Sequence, residues 1–342
     1  MGDQTMLAAV FAREGELELQ ERPIPNIQKP DDVLIQVEGC GLCGTDLHIL
    51  ETPPGHPATS GVIMGHEYVG RVIEVGSGVV FLKAGDRVAV APNLYCGQCR
   101  FCRGGLVNHC ENFTTLGIFR DGGLARYNVA PERACYSVAT DLPFEEAVWT
   151  EVLSCVMHSV DRMKPLPGET ALVIGCGPVG ALHALLFLVS GTRVIISDLQ
   201  PKRLELLRKV GVHRTVNVAE QSLEQVVKED NRFGPDLVVD CVGTQVSTCL
   251  DLARVGGRIS LFGMNSQARP SVPQNEIIRK ELSIYGSYVG VNTFPRAIEI
   301  LENRVIKPSV LISKSVALEE IKEAIDALRQ GEEMKIVIRH SE

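Results

Sequence analysis

The chain has 342 residues, of which 45% are hydrophobic and 22% charged, with a formal net charge of −8. That length and apolar content support about two domains with substantial cores and exclude disordered and collagen-like classes. The acidic balance, with no basic run, excludes a broad phosphate-binding surface and argues against nucleic acid as a partner.

Met1 to Gln4 carry no basic stretch of the kind that opens a secretion signal. Met6 stands where a myristoylation motif on Gly2 requires Ser or Thr. The expectation is a cytoplasmic protein whose eleven cysteines are reduced thiols, not disulfides.

The first half reads as short strands punctuated by Gly and Pro. Val33–Val37, Tyr68–Val75 and Asp86–Val90 are strand candidates, and Gly76 and Gly78 interrupt the second. Such a pattern suggests a mainly β, barrel-like or sandwich module. Ala171 to Val189 is apolar except for His183, but Gly175, Gly177, Pro178 and Gly180 break it into a strand, a turn and a buried helix, so no membrane span is expected. From there strands at Thr170–Ile174, Arg193–Asp198, Thr215–Val218, Asp236–Asp240, Arg258–Phe262 and Ser283–Ser287 alternate with helices at 201–210, 222–229 and 245–254. That rhythm predicts an α/β unit with a doubly wound parallel sheet. Helices at 295–303 and 318–329 and a strand at 334–338 close the chain.

Gly175-Cys-Gly-Pro-Val-Gly180 fits G-x-G-x-x-G where the motif must lie, after a strand and opening a helix. Gly175 and Gly177 allow the tight turn and close backbone approach to a pyrophosphate, and Gly180 lets the helix pack on the strand. Asp198 ends the next strand, where a carboxylate accepts from a ribose 2′-OH and repels a 2′-phosphate. NAD is therefore favoured over NADP. Pro178, Val179, Arg203, Val242, Gly243 and Phe262 complete the candidate cofactor contacts.

Cys96, Cys99, Cys102 and Cys110 place four thiols within fifteen residues. Four thiolates suit a closed, structural zinc site. An iron–sulfur cluster is the rival, but ferredoxin runs have three residues before their last Cys and Pro after it, unlike this segment. A second, dispersed constellation contains Cys43, His66, Glu67 and Glu151. Cys, His and a carboxylate plus water would form a tetrahedral zinc site with an open position.

Several motifs in order, over nearly the whole chain, give a resemblance to the zinc-containing medium-chain dehydrogenases, in the sorbitol (polyol) and threonine dehydrogenase branch. They are Cys43-Gly-Thr-Asp-Leu-His48, Gly65-His-Glu-Tyr-Val-Gly70, Gly85-Asp-Arg-Val88, the four-cysteine lobe, Glu151-Val-Leu-Ser154 and the glycine turn. The resemblance implies a GroES-like, mainly β catalytic domain over 1–152 and 290–342, and a Rossmann NAD domain over 153–289. It implies two zinc ions per chain, with Cys43 and His66 as ligands of the catalytic one and either Glu67 or Glu151 completing the site; Cys155 is a weaker candidate. Thr45 and His48 would relay the alcohol proton, and hydride would pass to NAD, giving a ketone. It also implies a homo-oligomer, dimer or tetramer.

Two departures bear on the substrate. Val152 replaces a Pro that follows the Glu in polyol relatives. Val289 and Gly290 stand where sorbitol dehydrogenases carry an Arg-Tyr pair that binds substrate hydroxyls. A smaller or less hydroxylated alcohol or polyol is thus expected, with Arg120 or Arg126 as replacement contacts. The alternatives within the class are threonine-type, sugar-phosphate and simple secondary alcohol oxidation. Outside it stand a non-catalytic NAD-binding protein on the same fold and a nucleic-acid-binding zinc module, for which Arg100, Phe101 and Arg103 are too few basic and aromatic residues.

Overall fold

The computed structural model describes residues 5–331 and 333–340; Met1 to Gln4, read above for targeting signals, lie outside them. Two compact units share the chain: Met1–Ser154 with Val291–Glu342, and Cys155–Gly290.

The second unit is built on six parallel strands. Their order across the sheet is Arg214–Asn217, Arg193–Asp198, Thr170–Ile174, Leu237–Asp240, Arg258–Leu261, Ser283–Gly286. The central strand Thr170–Ile174 is buried along its whole length, as befits an apolar run covered on both faces. The strand order reverses beside it, since Arg193–Asp198 pairs on one side and Leu237–Asp240 on the other. At such a switch point the carboxyl ends of the strands open a ligand crevice. The helix Pro178–Val189 follows, with Pro in its first turn, where the missing N–H costs nothing. This is the doubly wound Rossmann arrangement, and it bears out the fold class read from the sequence. No helix among the described residues is long and apolar enough to cross a membrane.

The first unit centres on a seven-stranded sheet. Lys314–Ala317, Ile336–Arg339, Asp32–Gly41, Glu67–Val75, Arg87–Val90 and Cys135–Ser137 follow in that order, and Tyr127–Pro131 also pairs with Asp32–Gly41. Register sets the site: Gly41 lies opposite Glu67 on one side and opposite Val337 on the other. Residues from the start of the chain and from its last segment thus meet at one point. The final strand begins at Ile336, two residues later than the hydrophobic run suggests. The reason is that Ser313 takes the backbone there: its Oγ accepts from the Met334 N–H at 2.7 Å, and its N–H donates to the Lys335 carbonyl at 2.8 Å. A hairpin of Thr5–Arg13 and Glu16–Pro23 was not expected from the sequence, nor were the helices Thr150–Met163 and Gln274–Lys280.

Candidate active site

Cys43 caps the N-terminus of a short helix, Gly44–Ile49, and its own N–H is held by Asp46 Oδ2 at 2.9 Å. His66 sits on a bend just before the strand Glu67–Val75 begins. Two neighbours in a strand would face opposite ways. Because the strand starts only at Glu67, both side chains reach the same spot. The donor atoms of Cys43, His66 and Glu67 lie within 4.8 Å of one another. Glu151, half a turn into the helix Thr150–Met163 and buried, does not join that group.

The three donors lie in a buried, acidic surrounding. Asp46 and Glu67 are each 1% exposed and His66 5%. Glu67 Oε1 is buried without a hydrogen-bond partner, a costly state unless something else satisfies it, while Asp46 Oδ1 and His66 Nδ1 are buried facing each other just outside hydrogen-bond geometry. Burial opposes a charge on His66, yet Asp46, 3.5 Å away, and Cys43 outweigh it and hold the imidazole pKa well above its ordinary value. The other oxygen of Glu67 takes Lys335, which is equally buried and whose ammonium lies 5.4 Å from the Trp149 ring. Burial works against the charge on Lys335 as well, but Glu67 and Cys43 prevail and raise its pKa. Thr45 Oγ1 lies 3.7 Å from Cys43 Sγ, and His48, one turn further along the same helix, is half exposed.

The four-cysteine lobe closes on itself. Sulfur–sulfur separations are 3.5 Å for Cys99–Cys102, 3.9 Å for Cys99–Cys110 and 4.0 Å for Cys96–Cys102. Backbone N–H groups point at the sulfurs, from Cys99 to Cys96 and from Cys96 and Asn112 to Cys110, each at 3.3 Å. The N–H groups of Gln98 and Cys99 lower the Cys96 pKa to about 6, while desolvation and the neighbouring Cys99 raise Cys102 to about 12. Four thiolates this close repel one another, so all four ionise together only around a cation.

In the second unit Gly175 takes φ +97°, and a Cβ on Gly180 would come within 1.9 Å of the Gly175 carbonyl oxygen. The turn therefore demands glycine at both positions. Asp198 is already engaged with the turn: its oxygens accept the N–H groups of Cys176 at 2.6 Å and Gln200 at 2.8 Å. Pro178, Val179, Gly177 and Arg203 are part-exposed around this turn, and an Arg203 nitrogen lies 4.0 Å from where a Gly177 Cβ would be. Val242 and Gly243 form a loop at the end of Leu237–Asp240. Asp240 holds it, accepting from the N–H groups of Val242, Gly243 and Gln245 at 2.8 Å each. Phe262 packs edge-on against His183, with ring centres 5.2 Å apart.

Sequence reasoning missed three residues here: Lys335, Asp46 and Asp240. Lys335 offered a faint signal, a lone lysine within the apolar run Met334 to Ile338.

Residues 29–140 match the model of the alcohol dehydrogenase GroES-like domain, and residues 178–303 that of the zinc-binding dehydrogenase. The chain is 33% identical to a sorbitol dehydrogenase of Bacillus subtilis (strain 168), over 98% of this chain and 97% of that one. It is 32% identical to an L-threonine 3-dehydrogenase of Chelativorans sp. (strain BNC1), over 97% of this chain and 98% of the relative. Among solved structures, a putative zinc-binding dehydrogenase from Sinorhizobium meliloti 1021 bound to NADP superposes with a TM-score of 0.91 at 29% identity, covering 98% of this chain and all of that one (100%).

Proposed function

From the premise that the chain belongs to the zinc-containing alcohol dehydrogenase family, in its polyol and threonine dehydrogenase branch, we propose that it oxidises a small secondary alcohol, a polyol of modest hydroxylation, to a ketone with NAD. The observation that carries this reading is the convergence of Cys43, His66 and Glu67, with Glu67 Oε1 buried and without a hydrogen-bond partner. A thiolate, an imidazole and a carboxylate form the donor set of an open, catalytic zinc site. Glu151 falls outside the three-donor group, so Glu67 is the better-placed carboxylate.

Bound zinc would supply Lewis acidity to the alcohol oxygen, and bound NAD would accept the hydride. The chain's own residues do the rest. Asp46 orients His66 and compensates charge behind it. Thr45 Oγ1, beside Cys43, takes the alcohol proton and passes on its own. His48, three residues along the same helix face, is the terminal acceptor and is open to water.

The four-cysteine lobe is a second, structural zinc site, which makes two zinc ions per chain. Cys155–Gly290 is the NAD-binding domain and the remainder the catalytic domain. The Asp198 carboxylate supports NAD over NADP, because a 2′-phosphate there meets a like charge. Val289 and Gly290, lacking any hydroxyl-binding side chain, support a substrate smaller than sorbitol. A cytoplasmic homo-oligomer, dimer or tetramer, belongs to the same reading.

NADH formation across polyols, threonine and simple secondary alcohols, with and without a chelator, tests this. Chelator-sensitive turnover of small polyols is expected. Turnover of threonine alone would move the chain to the amino-alcohol side of the family, and chelator-resistant turnover would remove zinc from the chemistry.

A further inference from the structure

His48 is not alone at the end of its helix. Its Nδ1 lies 2.8 Å from Glu51 Oε1, three residues on. The contact is built into the backbone: after Glu51 the chain doubles back, and the Gly55 N–H donates to the His48 carbonyl at 2.9 Å. Gly55 closes down on the pair so tightly that a Cβ there would lie 2.4 Å from Glu51 Oε2 and 3.4 Å from His48 Nδ1. The side chains are 52% and 48% exposed, so as an ion pair this contact adds little to stability. Its consequence is geometric and tautomeric.

We propose that Glu51 is a positioning residue for His48: it holds the neutral ring with its proton on Nδ1, leaving Nε2 as the bare acceptor nitrogen. An ionised carboxylate only accepts hydrogen bonds, so the nitrogen facing it must carry the proton. A free imidazole in water prefers the opposite tautomer, with the proton on Nε2 and no lone pair there. With Glu51 in place, a proton arriving from the alcohol forms a new bond at Nε2. The resulting imidazolium then gives that proton to water, and the Nδ1–H stays on the carboxylate throughout. This inference rests on His48 being the terminal proton acceptor, as proposed above.

The test uses the zinc-loaded full chain with a substrate from the panel, in four variants: Glu51→Ala, Glu51→Gln, His48→Gln and the double variant Glu51→Ala/His48→Gln. The tautomer of His48 is read by long-range nitrogen–proton correlation after 15N-histidine labelling. In Glu51→Ala the His48 signals shift toward the Nε2–H form, and kcat falls about tenfold, a fraction of the full worth of a general base, with KM unchanged. Glu51→Gln, whose amide oxygen still accepts, recovers part of the loss. In the double variant kcat is that of His48→Gln alone. An unchanged tautomer in Glu51→Ala, or a loss that persists undiminished on the His48→Gln background, overturns the role of Glu51. Full activity in His48→Gln overturns the relay reading itself, a distinct result from a His48 that is needed while Glu51 is not.

Discussion

Replacing Lys335 with methionine keeps the volume of the side chain and removes its charge. In the zinc-free protein this strands the Glu67 carboxylate, 1% exposed, with one oxygen newly unpaired and the other already without a partner. Breaking a buried pair from one side costs about 3–5 kcal/mol, because the surviving charge has no compensation. Both partners are buried, so no discount for solvent applies. Removing both charges is far milder, since a buried ion pair and a neutral replacement of like volume are often close in stability. The assay is urea unfolding of the zinc-free protein followed by fluorescence of Trp149, the single tryptophan, which is wholly buried and stands 5.4 Å from the Lys335 ammonium. Lys335→Met loses about 3–5 kcal/mol, Glu67→Gln loses a comparable amount, and the double variant regains most of it. Adding zinc rescues Lys335→Met more than wild type, as the freed carboxylate gains a cation. A loss below about 1 kcal/mol in Lys335→Met, or a double variant as unstable as the two losses summed, would falsify the buried-pair account.

Three further outcomes follow from the same structure. His183 is fully buried and neutral, with burial lowering its pKa from 6.5 to about 4. The unfolded chain therefore binds more protons than the folded one between those values. The stability tied to this group is complete above pH 6.5 and declines by about 3 kcal/mol as pH falls to 4. Burial lowers His56, His158 and His340 too, which adds in the same direction. Unfolding curves taken from pH 7 to 4 should show a shallower decline in His183→Gln than in wild type, and equal slopes would refute this assignment. Cys99→Ser opens the four-sulfur lobe, so metal analysis should find one zinc per chain instead of two while cofactor affinity is retained; two zinc ions in the variant would mean the lobe is not a metal site. Gly180→Ala drives a Cβ to 1.9 Å from the Gly175 oxygen, so NADH titration should show cofactor binding weakened at least about a hundredfold; near-normal affinity would show that the turn has room to spare.

Much of the Rossmann unit was legible in the sequence because its signals are local. A run such as Ala171–Ile174 stays apolar on both faces when both are covered, and the glycine turn after it has one workable geometry. The cysteine lobe was legible for the same reason, with all four donors inside fifteen residues. The dispersed site was legible only as a set of candidates. Cys43, His66 and Glu67 meet because strand register sets Gly41 against Glu67, and register is a property of pairing that no single segment records. The partner of Lys335 was hidden in the same way: the lone lysine in an apolar run hints at a buried charge, but it reaches Glu67 across 268 positions. The opening hairpin escaped for another reason. Glu16–Pro23 carries charged residues on its open face, and a short polar ribbon of that kind is hard to separate from a loop.

On the proposed reading, Cys43, with His66 and Glu67, holds a zinc ion on which alcohol oxidation depends. Zinc content and NADH formation measured together on wild type and Cys43→Ala test it most directly. Two zinc ions per chain in wild type, one in the variant, and turnover lost along with the missing ion are the predicted result. A Cys43→Ala protein that keeps both zinc ions, or loses one and still oxidises its alcohol at the wild-type rate, would contradict the account.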